Sequence, residues 1–187
     1  MILAILGSRN HKGQTARAVD ALLQGAADAG AAVERVFLPE CALERCRQCN
    51  DNGWGTCRSE GKCVIEDNFA GIAGKIGTAD AVVFATPVYF SDLSESLRAF
   101  LDRLRRITRS EPGKQGIVGK RAIGLCVAGG GGGGAPSCTQ SLERVLATIG
   151  FDVVDLIPVR RQNLDFKLSI LTSTGRWLAS LEDTPKA

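Results

Sequence analysis

Two kinds of hydrophobic run take turns along the chain. Short, almost unbroken apolar stretches lie at 2–6 (ILAIL), 32–38 (AVERVFL), 81–86 (AVVFAT), 122–128 (AIGLCVA) and 152–159 (DVVDLIPV). Runs of this kind read as strands covered on both faces. Between them, apolar residues recur at intervals of three and four, the period of a helix with one buried face. Val19, Leu22, Leu23 and Ala26 define that face over 15–29, and Gly30 supplies the terminating glycine. Leu93, Leu97, Phe100, Leu101 and Leu104 do so over 92–107. Leu142, Val145, Leu146 and Ile149 mark a further helix stopped by Gly150, and Phe166, Ile170, Leu171, Trp177 and Leu178 a last one near 165–181. A shorter helix fills 67–76, with Asp67 as its cap.

Strands alternating with helices predict an α/β fold with helices on both faces of a doubly wound sheet. Five parallel strands in the order 2-1-3-4-5 make the flavodoxin-like form, in which a ligand lies over the carboxyl ends of the first and third strands. The 187 residues suffice for a single domain with a substantial core, and 44% hydrophobic with 23% charged residues is an ordinary globular composition. Order is expected everywhere except at the last few residues. Two stretches stand outside the alternation: the irregular segment 39–66 and the glycine run 129–134.

A net charge of +3 is too small and too dispersed to imply nucleic acid. The densest basic run, DRLRR at 102–106, reads as the solvated outer face of a helix. The opening MILAIL lacks a basic leader and is too short for a signal peptide, and no stretch approaches membrane-spanning length. A cytoplasmic protein is expected, with no membrane partner and with its seven cysteines as thiols or metal ligands.

Residues 7–15, GSRNHKGQT, follow a strand and open a helix, the setting of a phosphate-binding loop. The nucleotide P-loop has a lysine where Gln14 stands, and no strand ends in a metal-binding aspartate, so a triphosphate is excluded twice. A single phosphate on backbone N–H groups and hydroxyls, with Arg9 or Lys12 nearby, fits better. A plain turn capped by Ser8 or Asn10 is the alternative. The third strand leaves through TPVYF, which places Pro87, Val88, Tyr89 and Phe90 beside that site as an apolar shelf for a flat ring. Core packing of Phe90 and a surface role for Tyr89 compete with this. Gly129, Gly130 and Gly131 open the run after the fourth strand, where backbone N–H groups can approach a ring edge, or simply form a flexible loop. Phosphate pocket, aromatic shelf and backbone donors are together what flavin mononucleotide (FMN) needs.

Through GSRNHKGQT, ATPVYF and the following LSESLRAFLDRL, the sequence resembles the NADPH-dependent FMN reductase family, loosely over residues 1–160. The resemblance implies that Ser8, Gly13, Gln14 and Thr15 hold the FMN phosphate, with Arg9 and Asn10 beside them. It implies that Pro87, Val88, Tyr89 and Phe90 line the isoalloxazine ring. It further implies an NAD(P)H-dependent oxidoreductase that passes electrons to a quinone, flavin, other small-molecule acceptor or redox protein, and assembles as a homodimer or homotetramer. No side-chain acid or base is required, because the flavin carries the chemistry.

Five of the seven cysteines, Cys41, Cys46, Cys49, Cys57 and Cys63, fall in the 39–66 segment. The iron-sulfur branch of the family carries a compact C-x2-C-x2-C motif plus a fourth cysteine for a [4Fe-4S] centre, whereas here Asn52 takes the third place. Cys46, Cys49, Cys57 and Cys63 are the candidate ligands for such a centre or for zinc, against reduced thiols in a loop over the flavin. Two further functions therefore stay open: an iron-sulfur flavoprotein-type electron carrier, and a non-redox module binding a phosphorylated ligand and zinc. Cys126 reads as a small core hydrophobe, and Cys138 has no assigned role. His11, the only histidine, lies in the phosphate loop, which argues against a Ser-His-Asp hydrolase.

Overall fold

Each apolar run becomes a strand of one sheet. In the computed structural model, which describes residues 1–181, β1 (Ile2–Leu6), β2 (Val33–Phe37), β3 (Ala81–Pro87), β4 (Arg121–Ala128) and β5 (Asp152–Arg160) pair in the order β2-β1-β3-β4-β5. Every pairing is parallel. The helices are α1 (Gln14–Asp28), α2 (Thr56–Ser59), α3 (Phe69–Thr78), α4 (Glu95–Ile107), α5 (Glu111–Lys114), α6 (Ala135–Ile149) and α7 (Leu164–Ser180). The single-turn α2 and α5 are too short to leave a periodic signature in the sequence.

Alternate strand residues point to opposite faces. Leu3, Ile5, Val82 and Phe84 pack with α3, α4 and α6 on one side. Ile2, Ala4, Leu6, Val83 and Ala85 pack with α1 and α7 on the other. Where α1 meets α7 the two backbones nearly touch. A Cβ on Gly25 would stand 1.9 Å from the Thr172 carbonyl oxygen, and one on Gly175 1.9 Å from that of Leu22. Among the described residues no helix is long and apolar enough to cross a membrane. The last few residues, expected to lack order, lie outside the described ones.

Three expectations need correction. The helix expected from Asp92 begins at Glu95, because residues 89–92 close instead into a tight hairpin. Its two backbone bonds join Tyr89 and Asp92 at 3.0 and 2.9 Å, with Phe90 and Ser91 at φ +50° and +63°. Asp67 is not the capping residue of α3, a place taken by Asn68. Its carboxylate still accepts the Phe69 N–H at 3.0 Å. The run 102–106 is not a solvated face either, since Arg103 is 1% exposed. It lies three residues after Phe100 and four before Ile107, on the apolar side of α4, and Asp67 supplies its counter-charge there.

Candidate functional site

The inner strand β1, between β2 and β3, delivers the chain to the first loop. Gly7 N–H still pairs with the Ala85 carbonyl at 2.8 Å, and a Cβ at Gly7 would lie 2.2 Å from Ser94 Oγ. Ser96 Oγ donates to the Gly7 carbonyl at 3.2 Å, so the loop is pressed against the start of α4. Its turn is self-supporting. Asn10 N–H donates to Ser8 Oγ at 3.3 Å, Lys12 N–H to Asn10 Oδ1 at 3.0 Å, and Gly13 N–H to the Asn10 carbonyl at 3.1 Å. Asn10 thus shapes the loop, but neither it nor Ser8 caps α1, whose N-cap is Gly13.

No side chain among the described residues caps the start of α1. The first-turn N–H groups, at Gln14, Thr15 and Ala16, have no intrahelical acceptor, and with the helix dipole behind them they are the kind of donors an anion can meet. Thr15 is buried, and Gln14 Oε1 is buried without a hydrogen-bond partner among the described residues. Arg9 turns toward the end of β2, where its Nη2 donates to the Pro39 carbonyl at 3.4 Å. His11 stacks on Phe37 with ring centroids 3.9 Å apart and contacts Glu40, a packing role far from a catalytic triad.

Two further loops close on the same edge. Ser94 N–H donates to the buried Thr86 Oγ1 at 3.0 Å, tying the exit of β3 to the start of α4. Pro87 and Val88 are half-buried, Tyr89 is 49% exposed, and Phe90 is fully exposed. The expected shelf is therefore partly in water. Both central residues of the hairpin are in the left-handed region, which lifts the Phe90 ring off the surface. After β4, Gly132 N–H donates to the Gly129 carbonyl at 2.7 Å, and Gln162 Nε2 to that of Gly131 at 3.0 Å. Gly129, Gly130 and Gly131 stay exposed. A Cβ on Gly129 would come within 4.0 Å of Gln14 Oε1, and one on Gly134 within 2.5 Å of Ser91 Oγ. All three loops singled out in the sequence thus meet at one rim.

The cysteine segment forms a second place of interest. Cys46, Cys49, Cys57 and Cys63 line one cavity of about 350 Å3, counted out to solvent, together with Arg103 and Arg106. Among the described residues no three cysteine, histidine or acidic side chains are close enough to hold one metal ion. Cys41 turns aside, donating to the Phe37 carbonyl at 3.4 Å, and burial followed by the Glu40 charge pushes its thiol up.

Beneath the cavity lies the buried pair that periodicity and composition missed. Arg103 donates to Asp67 through Nη1 at 2.6 Å and Nη2 at 2.9 Å, and to the Glu44 carbonyl at 3.0 Å. Nη2 also donates to Cys63 Sγ at 3.4 Å. The guanidinium carbon stands 4.2 Å from the Phe69 ring centroid, and Nε is buried without a partner among the described residues. Burial works against the Asp67 charge, but hydrogen bonds from Arg103, Glu44 N–H and Phe69 N–H outweigh it and hold this carboxyl below its usual range. Arg106 donates to the Gly53 carbonyl at 2.7 Å and covers Trp54. Cys126 and Cys138 are buried in the core, where a hydrogen bond between them and desolvation push the Cys126 thiol far up.

A doubly wound sheet with an uncapped helix start and three converging loops at its topological switch point defines a flavodoxin-like protein. The sequence profile of the NADPH-dependent FMN reductase family matches residues 1–161, and the chain belongs to that family. An iron-sulfur flavoprotein of Methanocaldococcus jannaschii is 31% identical over 129 residues, covering 69% of this chain and 64% of that protein. One from Methanosarcina thermophila is 29% identical, over 82% of this chain and 76% of its own. The chain thus spans somewhat under two thirds of the first relative's length. The solved NAD(P)H:quinone oxidoreductase of Methanothermobacter marburgensis superposes with a TM-score of 0.70 over 98% of each chain at 20% identity, a likeness of fold.

Proposed function

We propose that this chain is an FMN-containing oxidoreductase that takes reducing equivalents from NAD(P)H and delivers them to a quinone, flavin or other acceptor. The observation that carries the reading is Gln14, whose buried Oε1 at the open end of α1 has no hydrogen-bond partner among the described residues. Such a group costs about 1–3 kcal/mol when left unmet. A ribityl hydroxyl would satisfy it, and the same amide turned over would donate to a phosphate oxygen. The backbone donors of α1 with Ser8 and Thr15 would hold the phosphate. Gly129, Gly130 and Gly131 would approach the ring edge, and Pro87, Val88, Tyr89 and Phe90 would flank its face. Bound FMN would supply the hydride and electron chemistry; the chain supplies position and exclusion of water. Family membership supports this assignment. The exposed Tyr89 and Phe90 at the rim suit a homodimer or homotetramer in which a second copy covers them.

A second cofactor reading is favoured by one specific observation, the four thiols on one cavity. A tetrahedral zinc with Zn–S bonds of 2.3 Å holds its sulfurs only about 3.8 Å apart. No such convergence exists among the described residues, whereas a multi-iron cluster spreads its cysteines more widely. The Arg103 Nε–H beside the cavity, without a partner among the described residues, also suits an acceptor-rich occupant. Cys46, Cys49, Cys57 and Cys63 would then hold a [4Fe-4S] centre, in line with the iron-sulfur flavoproteins among its relatives, and the chain would serve as an electron carrier.

The test is an absorption spectrum of anaerobically purified protein, with iron and sulfide analysis and NADPH addition. Yellow protein that releases FMN on denaturation and bleaches with NADPH is the expected result. Stoichiometric iron without NADPH oxidation would favour the carrier, and colourless protein that takes up no FMN overturns the main reading.

A further inference from the structure

We propose that Arg103 is a positioning residue that sets the electron affinity of the centre held by Cys46, Cys49, Cys57 and Cys63, through its hydrogen bond to the Cys63 sulfur. The assignment rests on the cluster reading above. Arginine stays protonated at any working pH, so its donor to the sulfur is permanent. Here it is also immobile. Nη1 is taken by Asp67 and the Glu44 carbonyl, Nη2 by Asp67 and the Ile65 carbonyl, and the plane rests on Phe69. The second Nη2 N–H is shared between the Ile65 carbonyl at 3.5 Å and Cys63 Sγ at 3.4 Å. The group is 1% exposed, so water does not screen it.

One electron entering the cavity adds one negative charge, with no bond made or broken and no proton moved, since the guanidinium is already charged. A fixed donor to a ligand sulfur favours the more negative state over the less negative one. Hydrogen bonds to the sulfurs are among the levers that set such potentials. A bond to a charged group is worth about tenfold or more in an equilibrium constant, and tenfold is about 59 mV for one electron. Asp67 balances the guanidinium in either state, so the effect comes from the directed N–H and not from net charge. Arg106 is the natural control, because it lines the same cavity but spends its donor on Gly53.

Removing Arg103 alone would strand the Asp67 carboxylate, so the comparison is made between the parent protein and Asp67→Asn/Arg103→Met, which removes both charges of the pair together. Both are purified anaerobically, assayed for iron and titrated with dithionite while the reduced centre is followed by electron paramagnetic resonance. The expected result is equal iron and a midpoint lower by about 59 mV or more in the double variant, that is, about tenfold in the reduction equilibrium. Arg106→Gln should leave the midpoint within a third of that shift of the parent protein. Equal iron with an unmoved midpoint overturns the assignment alone, and parent protein without iron overturns it together with the cluster reading. If the double variant does not load iron, Arg103→Lys, which keeps the charge pair with Asp67, is measured instead: a partial downward shift supports the role of the directed donor, and none overturns it.

Discussion

Outside the proposed flavin cradle, the guanidinium of Arg103 is buried to 1% exposure. Breaking a buried ion pair by removing one partner costs about 3–5 kcal/mol, because the other charge stays behind without compensation. Arg103→Met should therefore lower stability by about that amount in urea unfolding, with a fall in midpoint and little change in slope. Asp67 gives the same pair a pH signature. Its folded-state carboxyl lies below the usual value, so it adds stability that is complete above about pH 4 and disappears as pH falls through the depressed value. The stability gap between the parent protein and Asp67→Asn should be widest at neutral pH and shrink as pH falls below about 4; a gap that stays constant would show that the carboxylate is not preferentially charged in the folded chain. The counterpart in the cradle is Gln14. Replacing it with Ala removes the unmet amide, so FMN affinity should fall by about three- to tenfold for one lost hydrogen bond, while the apoprotein should be no less stable; fluorescence quenching of added FMN measures the first, urea unfolding the second.

At the scale of elements, the contact between α1 and α7 depends on two glycines facing each other's backbone. A Cβ at Gly175 would enter the Leu22 carbonyl oxygen at 1.9 Å, which no side-chain rotation relieves. Gly175→Ala should cost about 1–3 kcal/mol as overpacking, despite the better helix propensity of alanine, whereas Gly71→Ala, with open space around its Cβ on α3, should be neutral or stabilising. Thermal unfolding of the two variants decides it. The same elements show what a one-dimensional reading can and cannot reach. Strand positions were legible to within a residue or two, because parallel strands buried on both faces write continuous apolar runs. The loops that carry Ser8, Gln14 and Tyr89 were legible because glycine, proline and aromatic residues mark sharp exits from strands. The 89–92 hairpin was not, since its left-handed residues are Phe90 and Ser91 in place of the glycine or asparagine that signals such a turn. Arg103 was hidden by its charge, although its place in line with Phe100 and Ile107 put it on the buried face. Its partner Asp67 lies 36 residues away, and no local pattern reports a pairing of that range.

For the molecule as a whole, the cradle and the core share one architecture, so filling the first should stabilise the second. The rim is assembled from the ends of β1, β3 and β4, the three inner strands, and it is held by hydrogen bonds: Gly7 N–H to the Ala85 carbonyl, Ser96 Oγ to the Gly7 carbonyl, Val88 N–H to the Val127 carbonyl and Gln162 Nε2 to the Gly131 carbonyl. A ligand touching all three loops binds only the folded chain, because unfolding separates segments more than a hundred residues apart in sequence. Linkage then requires stabilisation of RT ln(1 + [L]/Kd), about 2.7 kcal/mol at a hundredfold excess over Kd. For a domain of this size that corresponds to a rise of about 5–10 °C in Tm. Titrating apoprotein with FMN and with riboflavin separates the two halves of the site. FMN should raise Tm with the logarithm of its concentration, and riboflavin, which lacks the phosphate, should need a much higher concentration for the same rise. Equal shifts from the two would locate the binding energy at the ring and leave the open end of α1 without the role assigned to it, while no shift from either would remove the flavin from the cradle.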